Sequence, residues 1–130
     1  MYNQTTRAIH VSAKPFFLDS ESSPEDGRYF WAYTIAIENR GGETVQLLTR
    51  YWRITDAQGN VQEVRGDGVV GEQPVLEPGG RFEYTSGAPL ATPSGFMVGS
   101  YNMRSSSGDR FDVDIPAFSL DSPHVTGAVH

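Results

Sequence analysis

One period governs this chain, and it is two. In RYFWAYTIAIEN, residues 28–39, the large side chains Tyr29, Trp31, Tyr33, Ile35 and Ile37 alternate with smaller or polar ones. Side chains that alternate this way sit on opposite faces of a pleated strand, whereas a helix would repeat them every 3.6 residues. The stretch RFDVDIP repeats the pattern, with Phe111, Val113 and Ile115 on one side and Asp112 and Asp114 on the other. Ile9, Val11 and Ala13 do the same near the start, and Phe82 and Tyr84 do so in RFEYTS. No stretch of ten residues holds apolar positions at helical spacing, so the chain reads as all-β.

Breaks in the alternation fall where turn chemistry is concentrated. Gly41-Gly42, Asp56 to Asn60, Pro78-Gly79-Gly80, Ala88-Pro89 and Ser105 to Asp109 mark the corners, in a chain with 14 Gly and 8 Pro. Strands are predicted over 7–18, 28–39, 44–55, 61–65, 81–86, 95–104 and 110–115, with an acidic polar loop over 19–27. The run TVQLLTRYWRIT changes phase: Val45 and Leu47 fit one face, and Leu48, Trp52 and Ile54 the other. A β-bulge at Leu47-Leu48 reconciles them, because one extra residue reverses the facing of everything after it; burial on both faces is the alternative. Arg50 then lies in the apolar phase, where an inward charge calls for a carboxylate partner such as Glu63 or Glu83. About seven strands joined by short turns describe an antiparallel β-sandwich. The 130 residues read as a single domain, with a core over about 7–120 and a loose tail over 121–130.

Composition narrows the function. With no cysteine, disulfides, thiolate metal sites and cysteine nucleophiles are excluded. A formal charge of −6 opposes binding to nucleic acid. No apolar run reaches the ~20 residues of a membrane span, and the N-terminus lacks the pattern of a signal peptide. A cytoplasmic location is therefore expected, which weakens an adhesive role for Arg65-Gly66-Asp67 and glycosylation at Asn3.

Several motifs in order carry a resemblance. LLTRYWRITDAQGNVQEVRGDGVVGEQPVLEPGGRFEYTSG, followed by GFMVGSYNM and FDVDIPAFSL, is similar to the ApaG family of small bacterial proteins, over roughly Ile9 to Leu120. The resemblance implies an immunoglobulin-like sandwich of the fibronectin type III kind. By family name it also implies an association with cobalt and magnesium resistance or efflux. Similar domains at the ends of some eukaryotic F-box proteins, and in a DNA polymerase delta-interacting protein, point to a binding module. The family pattern supplies no catalytic residues, and none is assigned here.

The segment VRGDGVVGEQP contains G-x-G-x-x-G at Gly66, Gly68 and Gly71. In dinucleotide-binding folds that spacing works because a helix opens behind it and directs its N-terminal amides at the phosphates. Here Pro74 and Pro78 follow, with a strand predicted near Arg81, so no such helix fits. A weaker alternative is an anion nest for pyrophosphate or a nucleotide, built from the loop amides with Arg65 and Arg50, although Asp67 and Glu72 oppose it. The simplest reading is a wide loop whose glycines serve packing. His10, His124 and His130 show no paired spacing, and Asp112 and Asp114 read as a solvated strand face, so no metal site or cofactor is assigned. Neither G-x-S-x-G nor H-E-x-x-H occurs. The expectation is a non-catalytic domain that binds an unidentified protein, with edge strands that allow a homodimer.

Overall fold

The computed structural model describes residues 2–124. Its strands are β1 (Tyr2–Thr6), β2 (Ile9–Phe17), β3 (Tyr29–Asn39), β4 (Val45–Asp56), β5 (Val61–Asp67), β6 (Val75–Leu76), β7 (Arg81–Leu90), β8 (Gly95–Ser105) and β9 (Arg110–Leu120). They form two antiparallel sheets. One has the order β1-β2-β3-β7; the other runs β5-β4-β8-β9, with β6 continuing the β5 edge alongside β4. No α-helix occurs among the described residues, and the acidic loop contains two single 3-10 turns, Asp19–Glu21 and Pro24–Asp26.

The alternation seen in the sequence is the alternation of burial. Ile9, Val11, Ala13, Trp31, Tyr33, Ile35 and Ile37 turn inward from one sheet. Leu47, Trp52, Ile54, Met97, Tyr101, Met103, Val113, Ile115, Phe118 and Leu120 meet them from the other. Trp52 is the hub of the aromatic packing, with its ring 5.4 Å from Tyr33 and 5.9 Å from Phe118, edge to face. The bulge is present: the register of β4 against β8 shifts between Leu47 and Thr49. Leu47 and Trp52 can therefore both be buried although five positions separate them.

Several expectations need correction. The segment predicted as one strand over 7–18 begins only at Ile9, and an unpredicted strand, β1, precedes it. The two are joined by Arg7-Ala8, both at positive φ (46° and 66°), the geometry of a two-residue hairpin turn without the usual Asn or Gly. Ala88-Pro89 is not a corner but lies within β7, where an edge strand tolerates a residue with no amide hydrogen. β9 runs five residues beyond its predicted end, through Pro116, with a second register shift opposite Val98. The start of the expected loose tail is held in place: the Asp121 carbonyl accepts from the Trp31 indole at 2.7 Å, and the Ser122 hydroxyl donates to the Pro93 carbonyl at 2.6 Å. Residues 125–130, including His130, lie outside the described residues.

Candidate functional site

Each glycine of the loop has its own steric reason to be there. A Cβ at Gly66 would stand 2.9 Å from the Arg50 guanidinium, which lies flat across it. A Cβ at Gly68 would meet the Glu72 carbonyl oxygen at 2.2 Å. Gly71 is the second central residue of a tight turn closed by Val69 N–H to Glu72 O at 2.8 Å and Glu72 N–H to Val69 O at 2.9 Å. Both central residues, Val70 (φ 43°) and Gly71 (φ 82°), are left-handed. Val69 plugs into the core at 1% exposure while Val70 points out at 55%. No helix opens at Gly71.

Three of the loop amides have carbonyl partners. Gly68 donates to the Leu48 carbonyl at 2.8 Å, and Val69 and Glu72 bond each other. Arg50 does turn toward the inner face, but its partners are not carboxylates. Its Nη1 donates to the Asp67 carbonyl at 3.0 Å and the Gly68 carbonyl at 2.9 Å. Glu63 instead accepts from the Tyr51 hydroxyl at 2.6 Å, and Glu83 from Arg81 at 2.7 Å. Arg50 therefore ties the loop to the sheet by backbone acceptors alone.

Inside the core, near Arg50, three phenols meet. The Tyr84 and Tyr101 hydroxyls bond one another, with Tyr33 beside them. Burial pushes the Tyr84 and Tyr101 hydroxyls well above the ordinary phenol range, and burial raises Tyr33 as well. The Arg50 charge pulls weakly the other way on all three.

The outer face of the second sheet can be followed row by row from its register. Val61, Thr55, Phe96 and Ser119 form one row; Glu63, Arg53 and Val98 the next; then Arg65, Tyr51, Ser100 and Asp114; then Asp67, Thr49, Asn102 and Asp112. Residues directly paired across antiparallel strands share a face, so each row is a line of neighbours. The first two rows expose Val61 (48%), Phe96 (47%) and Val98 (38%) together. The lower two rows line an open groove of roughly 610 Å³, bordered by Tyr51, Arg65, Ser100, Asn102, Asp67 and Asp112. Arg65 covers the Tyr51 ring, its guanidinium carbon 4.4 Å from the centroid.

Of the residues singled out in the sequence, Arg50, Arg65 and Gly66 border this groove, while Gly68 bonds β4 just before the tight turn and Gly71 lies within it. Register places Arg50 and Arg65 on opposite faces of the sheet. Tyr51, Ser100 and Asn102 were not anticipated, and Asp112 was read only as part of a solvated strand face. The four converge from three strands, and no local spacing announces their meeting. Among the aromatics, Trp31, Tyr33, Trp52, Tyr84 and Tyr101 are core, Tyr29, Phe82 and Phe111 pack at its margin, and Phe96 is exposed. His10 is held between the Thr5 hydroxyl at 2.8 Å and Asn3 Oδ1 at 3.2 Å. Asp109 pairs with Arg7 at 2.9 Å, and Asp112 accepts from Asn102 at 3.0 Å. Among the described residues, no three His, Asp or Glu side chains come together as ligands for a metal ion.

Taken together, these features define a two-layer β-sandwich of the fibronectin type III kind that displays polar and apolar groups on an open sheet face. The ApaG domain matches residues 19–105, and the chain belongs to the ApaG family. It is 66% identical over 124 residues to Protein ApaG of Rhodospirillum centenum, covering 95% of each chain. It is 57% identical over 130 residues to Protein ApaG of Parvibaculum lavamentivorans, covering 100% of each. The crystal structure of the ApaA protein from Bordetella pertussis superposes with a TM-score of 0.87 at 46% identity, covering 90% of this chain and 95% of that one.

Proposed function

We propose that this chain is a non-catalytic domain that binds another protein through the outer face of the β5-β4-β8-β9 sheet. The reading rests chiefly on the exposed Val61, Phe96 and Val98, with Arg53 and Glu63 in the same row as Val98. Phe96 and Val98 are neighbours along β8, and Val61 lies on the same face two strands away across Thr55. An aromatic and two aliphatic side chains exposed on one sheet face, with charges among them, have the make-up of a protein contact. A role in a pathway of cobalt and magnesium resistance is the context that the family resemblance supplies. With no helix long and apolar enough to cross a membrane among the described residues, that role is assigned to contact with other proteins.

The anion reading of the Gly66–Gly71 loop ranks second. The amides of Gly68, Val69 and Glu72 already serve carbonyls, and Asp67 and Asp112 share the groove with Arg65. Affinity capture from cell extract, with and without cobalt, compares wild type with an F96S/V98S double variant, and an amide spectrum is titrated with pyrophosphate and ATP. The proposal expects a reproducible partner, lost with F96S/V98S, and no shift at Gly66 to Gly71. Equal capture by both proteins overturns the surface assignment, and shifts at the loop favour the anion reading.

A further inference from the structure

We infer that β5 is a self-complementary edge through which two copies of this chain pair antiparallel about Val64. The sandwich has several sheet edges, and most are blocked. β1 and β9 lie against each other, joined by the Tyr2 and Ser119 hydroxyls at 2.8 Å and by Asp114 N–H to the Thr6 hydroxyl at 3.3 Å. β7 carries Pro89, which cannot donate to a ladder. β5 contains no proline, and all its residues but Val64 and Gly66 are exposed.

The direction of its backbone groups follows from the register. Asp56 N–H bonds the Asn60 carbonyl at 3.0 Å, and Gly68 N–H bonds the Leu48 carbonyl at 2.8 Å. Hydrogen-bonded pairs alternate along an antiparallel ladder, so Gln62, Val64 and Gly66 are the β5 residues that bond β4. The amides and carbonyls of Val61, Glu63, Arg65 and Asp67 therefore point away from the sheet. Asp67 O already accepts from Arg50, so Glu63 and Arg65 offer the freest groups.

Charge then selects the register. A twofold axis at Val64 sets Glu63 of each copy opposite Arg65 of the other, in a pair that also exchanges both backbone bonds. An axis at Glu63 or at Arg65 would oppose like charges on the dyad. Arg65 reaches its own Glu63 only at 3.5 Å and is 72% exposed, so its other donors are available. The product is one continuous sheet that joins the five strands of each copy, in which the apolar rows and grooves of both copies share a face. A seven-residue strand pair is a small contact, so the dimer is weak and depends on concentration.

Two measurements test this. Sedimentation at rising concentration, in physiological salt, compares wild type, E63R and R65E, with folding checked by circular dichroism. Wild type should dimerise; each variant alone should stay monomeric, because like charges then face across the axis. An equimolar mixture of E63R and R65E should recover the dimer, since every pair is again opposite. In the cysteine-free chain, Val64→Cys should give an oxidised covalent dimer, whereas Gln62→Cys, whose two copies lie on opposite sides of the axis, should not. A wild type that stays monomeric, a mixture no heavier than its components, or equal crosslinking at 62 and 64 overturns the inference.

Discussion

At the scale of single residues, Val70 is the clearest strain. A β-branched side chain in the left-handed region is sterically opposed, and conformations of this kind cost about 1–3 kcal/mol. Val70 recovers little of that by packing, since it is largely exposed. Asn is favoured at the first central position of such a turn, directly before Gly. Val70→Asn should therefore stabilise the domain by about 1 kcal/mol, read as a higher urea midpoint with an unchanged slope. Arg50 shows how far sequence reaches at this scale. Its phase beside Trp52 marked it as inward and in need of a partner, and that much was legible. The partners are carbonyls of residues 67 and 68, and a backbone acceptor leaves no trace in composition. The glycines were likewise legible as special, but that one makes room for a guanidinium and another for a carbonyl is known only from their neighbours.

Among elements, Asn39 is the joint. It ends β3 buried at 1% exposure, its Nδ2 donating to the Glu43 carbonyl at 2.7 Å and the Leu76 carbonyl at 2.9 Å. Its Oδ1 accepts from Gly41 N–H at 3.0 Å, and its backbone bonds Gly79 and Gly80. One residue thus fastens β3, β6 and two turns, the second turn through its backbone. Asn39→Asp replaces the donor with a carboxylate facing two carbonyls, and should cost about 3 kcal/mol or more at neutral pH, with part of the loss recovered on acidification. Chemical denaturation at pH 7 and pH 4.5 measures both. Elements were legible where alternation was long, as in β3, and where a phase change had one cheap explanation, as at Leu47-Leu48. β1 was hidden because its hairpin turns on Arg7-Ala8, which carry no turn signature. Pro89 misled because proline usually ends a strand, and only the sheet order reveals β7 as an edge. The groove was illegible because Tyr51, Ser100 and Asp112 meet through pairings between residues far apart in sequence.

Across the whole molecule, the phenol cluster sets an alkaline limit. Tyr84 and Tyr101 hold their protons in the folded state far above the pH at which an unfolded tyrosine, near 10, releases them. The folded chain then binds more protons than the unfolded one, so stability is intact below about pH 10 and falls as pH rises beyond it. Each such phenol contributes a slope of about 1.4 kcal/mol per pH unit in that range. Urea titrations from pH 8 to 11.5 should show this decline, with tyrosinate absorbance from the buried rings appearing together with unfolding. Tyr84→Phe should make the decline shallower while lowering stability at pH 7 by about 1–2 kcal/mol, because the Tyr101 hydroxyl loses its partner.

The contact between Tyr2 and Ser119 has a bearing on architecture. The opening of the first strand and the close of the last occupy one corner of the sandwich. A host polypeptide can therefore enter and leave at the same point, beside Phe96, and carry the sandwich like a bead on a loop with its β5 rim, two strands away, left clear. Tethering at that corner, or rejoining the ends and cutting elsewhere, leaves the buried layers untouched.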